Sequence, residues 1–166
     1  MYRFLNIFFS PGVVLHELSH ALFCLFAGVR IYQVRLFRFG RVAGYVSHAE
    51  PQQFYQCFFI SFGPLFINSL ASLICFARFV PPYGRFEPWV LLWLGAAFGL
   101  HAIPSDGDAA ALSHSIRSRL RQNPLLVLGY PLVGLLMILN FLKRFRIDFI
   151  FIAVLFWLGN IYLKRV

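Results

Sequence analysis

Charge is what this chain has least of. Only 13% of its 166 residues are Asp, Glu, Lys or Arg, and 6 are acidic, whereas soluble domains carry about 25% charge. So few charges could not cover the surface of a water-soluble fold of this length, which excludes an ordinary soluble enzyme. Cysteine is scarce too. Cys24, Cys57 and Cys75 lie in apolar runs without paired spacing, so a disulfide framework is excluded and they read as small buried hydrophobes. Internal repeats and low-complexity tails are absent from the sequence. The net charge of +9 sits in small groups at the edges of apolar runs. It forms no basic stripe, so no nucleic-acid partner is expected.

Apolar residues dominate instead, at 60% with 21 Phe. Five segments reach or approach membrane-spanning length. They are about Phe4 to Val29, interrupted by Ser10-Pro11-Gly12; Phe54 to Val80, closed by Pro81-Pro82-Tyr83-Gly84; Pro88 to Ile103, ended by Pro104; Leu125 to Leu142; and Ile147 to Leu163. The expected fold is an all-α polytopic membrane protein with about five transmembrane helices. Arg30 to His48, with β-branched and aromatic residues in partial alternation and glycines at 40 and 44, predicts a small β-hairpin after the first span. Asp108 to Gln122 predicts a surface helix that becomes basic toward its end. The N-terminal run has no small-residue cleavage site in a sensible place and reads as retained.

Lysine and arginine give the orientation. Arg30, Arg35, Arg38, Arg41, Arg117, Arg119, Arg121, Lys164 and Arg165 make nine on one side; Arg3, Arg78, Arg85, Lys143, Arg144 and Arg146 make six on the other. The positive-inside rule then puts the hairpin and the basic helix in the cytosol. The short chain and its Phe bias lean toward a bacterial plasma (inner) membrane.

Within the first run stands His16-Glu17-Leu18-Ser19-His20. A polar or charged group at membrane depth costs at least ~2.5 kcal/mol on insertion scales, so such groups usually have a task. On a helix, residues four apart share a face, and two imidazoles at that spacing can bind one Zn²⁺. Zinc lowers the pKa of a bound water from about 16 to about 7, and Glu17 is placed to act as general base. Simple helix packing is the competing reading, but it leaves the desolvation of all three groups without return.

A catalytic zinc takes three protein ligands and a water. The first and third spans run in the same direction, and the third ends in Leu100-His101-Ala102-Ile103-Pro104-Ser105-Asp106-Gly107-Asp108. Asp106 and Asp108 are thus both available as the third metal ligand, and Pro104 and Gly107 let a carboxylate turn inward. Asp108 also suits an N-terminal cap of the next helix. Asn68 in the second span either donates to the developing oxyanion or joins two helices. His101 and Cys24 are secondary ligand candidates; His48 and His114, in polar connections, read as solvated.

Three ordered pieces resemble the site-2 protease family of intramembrane zinc metalloproteases. They are HELSH (16–20), FGPLFINSL (62–70), similar to that family's G-P-x-x-N segment, and PSDGD (104–108), similar to its N-x-x-P-x-x-x-L-D-G segment. The glycine-bearing stretch 28–46 resembles its β-hairpin. The resemblance implies Zn²⁺ held by His16 and His20, Glu17 as base, and Asn68 as a catalytic polar residue. It also implies a transmembrane protein substrate, held as an added strand on the hairpin edge and cleaved in or near its transmembrane segment. Aligning Pro104 puts His101 where the family has Asn and favours Asp108, whereas the Asp-Gly dipeptide favours Asp106.

Residues 1–112 then form the metalloprotease core, and residues 113–166 the basic surface helix with two additional spans. Two other functions suit the same residues. One is a catalytically silent protein of this fold that binds transmembrane segments, against which the intact Glu17 argues. The other is a metal-binding transporter or chaperone, for which the fourth and fifth spans offer almost no polar path.

Overall fold

A computed structural model describes residues 7–37, 44–80, 86–143 and 145–161. Outside them lie the start of the first apolar run, the hairpin tip with Gly40, the Pro81 to Gly84 closure, and the end of the fifth run. Arg3, Arg38, Arg41, Arg85, Arg144, Lys164 and Arg165 from the charge count lie outside them as well. The described chain is mostly helical. In order come helix α1 (Ser10–Phe26), strands β1 (Ile31–Arg35) and β2 (Tyr45–His48), and helices α2 (Phe54–Arg78), α3 (Glu87–Leu100) and α4 (Asp106–Arg119). A 3₁₀ segment (Pro124–Gly129) and helices α5 (Tyr130–Lys143) and α6 (Ile147–Ile161) follow.

Helix α1 starts with Pro11 in its first turn, where a missing N–H leaves nothing unpaired. It ends in a Schellman turn: Val29 N–H donates to Cys24 O (2.8 Å) and Gly28 N–H to Leu25 O (3.1 Å), with Gly28 at φ 68°. That reversal feeds β1, which pairs antiparallel with β2 from Ile31↔His48 to Arg35↔Tyr45. The expected hairpin is therefore present.

Helix α2 is the central post, with α1, α3, α4 and α6 all packed on it. Its buried face mixes small and polar residues, among them Ser61, Gly63, Asn68 and Ser72, which allows close helix approach and interhelical hydrogen bonding. Ser72 Oγ, for example, donates to Gly95 O of α3 at 2.7 Å. A second core of Cys57, Phe62, Leu112, Ile116 and Leu136 joins α2, α4 and α5.

Two stretches, α2 and the continuous segment Pro124–Lys143, are long and apolar enough to cross a membrane. Helices α3 and α6 are apolar but shorter, at 14 and 15 residues. Several boundaries differ from the sequence expectation by a few residues, and two of them have a clear cause. The fourth run opens as 3₁₀ helix, because Pro131 supplies no N–H for the α-helical bond to residue 127. Helix α4 starts at Asp106, two residues early, because Ser105 caps it.

A Cβ added at Gly28 would meet no atom within 4 Å, so Gly28→Ala adds only the left-handed backbone penalty of ~1 kcal/mol. Thermal unfolding in detergent should show a midpoint about 2–4 °C lower; an unchanged midpoint would show that the turn is not under this constraint.

Candidate metal centre

The four-residue spacing on α1 brings His16 Nε2 and His20 Nε2 to 3.2 Å. Each ring spends its other nitrogen on a backbone carbonyl. His16 Nδ1 donates to His101 O (2.7 Å) and His20 Nδ1 to Ile60 O (2.8 Å). A carbonyl can only accept, so each ring carries a proton on Nδ1 and turns its Nε2 into one shared space. That is the arrangement of imidazoles serving a cation.

Both acceptors exist because of a proline. Inside α2 the Ile60 carbonyl would normally accept from the N–H of residue 64, but residue 64 is Pro. At the end of α3, Pro104 prevents the helix from continuing, and the Ser105 N–H that could have reached His101 O donates to Asp108 Oδ2 instead, at 2.7 Å. Each break lets a carbonyl accept from an imidazole in place of a helical N–H.

Asp108 completes the group. Its Oδ2 accepts from the Ser105 N–H and hydroxyl, both at 2.7 Å, while Oδ1 lies 3.5 Å from His20 Nε2. One donor atom from each of His16, His20 and Asp108 falls within 4.8 Å of the others. A tetrahedral ion with bonds of about 2.0–2.1 Å has ligand–ligand edges of about 3.3 Å. Two of the three separations, 3.2 and 3.5 Å, are close to that edge, and the whole set lies within 4.8 Å. The residues fit a zinc ion.

His16, His20, Asp108 and Glu17 line an open cleft of about 680 Å³, within the usual size of small-molecule sites. Strand β2 forms one wall through Tyr45, Val46 and His48. Glu17 is 9% exposed and lies directly beneath Gly44, where a Cβ would stand 2.6 Å from Glu17 Cγ and 2.9 Å from Leu36 O. Only glycine lets the hairpin rest this closely on the carboxylate-bearing side chain. Arg119 fixes the opposite wall, donating to Gln52 O (3.0 Å), Pro51 O and Ser115 Oγ (2.9 Å), so that α4 is tied to the chain between β2 and α2.

The other sequence candidates are placed apart from this group. Asp106 is exposed in the first turn of α4 and does not border the cleft. Asn68 is fully buried at the crossing of α1, α2 and α3. Its Nδ2 donates to Gly12 O (3.1 Å) and His101 O (3.2 Å), and its Oδ1 accepts from Ser19 at 3.4 Å. It therefore shares the His101 carbonyl with His16 and is not among the cleft-lining residues. The His101 ring itself engages Ala97 O at 3.0 Å; its carbonyl serves the site. Cys24 packs with Val29 and Ile60 in an apolar cluster. His48 and His114 border the cleft mouth, His114 standing 3.7 Å from Glu50 with both side chains exposed.

Ser105 was not singled out by sequence, although Ser105 and Asp108 have the Ser-x-x-acid spacing of a capping box. No protein-family model matches the chain, and no curated protein or solved structure matches it either.

Pro64→Ala restores an N–H that competes for Ile60 O. The recovered helix bond offsets the lost packing, so thermal stability should change little, while zinc affinity falls about tenfold or more as His20 loses its acceptor. Competition with a chromophoric chelator measures this; unaltered affinity would show that the freed carbonyl does not orient His20. Ser105→Ala should cost about 1 kcal/mol through the lost cap and weaken zinc about tenfold by releasing Asp108, read by the same titration with thermal unfolding alongside.

Proposed function

We propose that this chain is a zinc-dependent intramembrane endopeptidase that hydrolyses peptide bonds in or near transmembrane segments of other membrane proteins. The observation that carries the reading is the convergence of His16, His20 and Asp108 donor atoms within 4.8 Å, both imidazole Nδ1 protons committed to carbonyls, with Glu17 lining the same cleft. His16, His20 and Asp108 would hold the metal. Zinc at this position supplies a nucleophile at neutral pH by acidifying water and polarises the scissile carbonyl.

Glu17 accepts the proton of the attacking water and returns it to the leaving amine nitrogen. Strand β2 is paired with β1 on one edge and contributes residues to the cleft wall. Its other edge offers backbone groups to an extended substrate, which must be unwound because a helix hides its own peptide bonds. Asn68 acts through the His101 carbonyl that it shares with His16, holding the acceptor that orients the ring. Asp106 complements the N-terminal end of the α4 dipole.

The chain crosses a bacterial inner membrane as a multi-pass protein of five spans, with the cleft and hairpin on the cytosolic side. The large apolar residues on its outer faces support this, among them Leu25, Phe66, Leu70, Ile74, Met137 and Ile150. At 1.5 Å per residue α3 is about 21 Å long, short of the ~30 Å hydrocarbon layer, so the bilayer thins beside it and water comes near the site.

Elemental mass spectrometry of the detergent-purified protein should find about one zinc per chain. His16→Ala and Asp108→Ala should lose it, whereas Asp106→Ala and Glu17→Gln should keep it. Co-expression with a panel of tagged single-span membrane proteins should yield a fragment with the native chain and none with Glu17→Gln. Absence of zinc from the native chain would overturn the reading. Bound zinc without any Glu17-dependent fragment would instead indicate a silent protein that binds transmembrane segments.

A further inference from the structure

Lys143 closes helix α5, in the part of the chain beyond the metalloprotease core, 35 residues after the last metal ligand in sequence. Its Nζ nevertheless donates to the carbonyls of Ile103 (2.8 Å) and Pro104 (3.1 Å). Ile103 and Pro104 are themselves buried, so these carbonyls belong to irregular backbone with little access to water. Such backbone is tolerated at membrane depth only where its polar groups are satisfied. Lys143 also bounds, with His16, Glu17 and His101, a second cavity of about 190 Å³ beside the site.

From these two carbonyls a continuous chain of contacts leads to the metal. The Pro104 carbonyl belongs to the same peptide unit as the Ser105 N–H. That N–H donates to Asp108 Oδ2 at 2.7 Å, and Asp108 Oδ1 points to His20 Nε2. Three links therefore separate the amine of α5 from the imidazoles of α1.

We propose that Lys143 is a positioning residue of the metal site, bracing the Ile103–Ser105 turn so that Asp108 meets His16 and His20. The C-terminal helices are then part of the active site and not an appendage to it. The inference rests on the zinc site proposed above and adds the requirement for α5. Asp106, Asp108 and Asp148 attract the charge of Lys143, whereas a bound dication would repel it. Bracing and repulsion predict opposite changes in metal affinity, so they can be told apart.

The test is a Co²⁺ titration of the full-length protein in detergent, with visible absorption and thermal unfolding recorded together. Co²⁺ absorbs strongly in a tetrahedral site and weakly in an octahedral one. Lys143→Met keeps the side-chain bulk and removes the donors; it should bind Co²⁺ about tenfold more weakly with an altered spectrum. Lys143→Arg, which can reach both carbonyls, should restore affinity and spectrum.

Native-like affinity and spectrum in Lys143→Met, or tighter binding from relieved repulsion, would overturn the inference and leave the zinc site standing. Failure of the native chain to bind Co²⁺ would overturn both. If Lys143→Met does not fold, Lys143→Gln, which is uncharged and too short to reach both carbonyls, takes its place, and native-like affinity and spectrum there would overturn the proposal.

Discussion

Two imidazoles on one helix turn are aimed at a common point when each is held by its far nitrogen. Here the hold comes from two main-chain carbonyls, and a regular helix has none to spare. This requirement organises the molecule. Pro64 removes the helical donor to Ile60 O within α2, and Pro104 ends α3 so that His101 O accepts from side chains. Neither break is incidental to the fold; each one supplies the acceptor for an imidazole presented by α1. Asn68 then secures the junction from behind, binding Gly12 O and the same His101 O.

The third candidate ligand, Asp108, arises from an equally local device. Ser105 and Asp108 form a capping box that satisfies the first-turn N–H groups of α4. Because a carboxylate has two oxygens, the cap uses Oδ2 and leaves Oδ1 for the imidazole pair. Helix start and candidate metal site thus share one side chain. Capping and ligation look like alternatives for Asp108 in the sequence, but the two roles are compatible, and Asp106, one residue beyond the cap, does not border the cleft.

Much of this was legible beforehand, and the reasons differ by residue. His16, Glu17 and His20 were visible because their spacing is short and helical periodicity translates it directly into shared geometry. The hairpin followed from alternation and glycines, and α2 from the length of its apolar run. The distinction between Asp106 and Asp108 was not available, since it depends on which serine oxygen and amide close the first turn of α4. The placement of Asn68 away from the cleft depends on a three-helix crossing that no local pattern encodes. Lys143 was counted only as a loop charge, because its contacts join positions 40 residues apart. The 3₁₀ start of the fourth run was written in Pro131, whose missing N–H an apolar-length criterion does not weigh.

X-ray absorption at the zinc edge of the purified protein tests the central claim most directly. The account predicts four nitrogen or oxygen ligands at about 2.0–2.1 Å, with the multiple-scattering signature of two imidazoles and no sulfur. A thiolate in the zinc shell, a six-coordinate ion, or a single imidazole would contradict it.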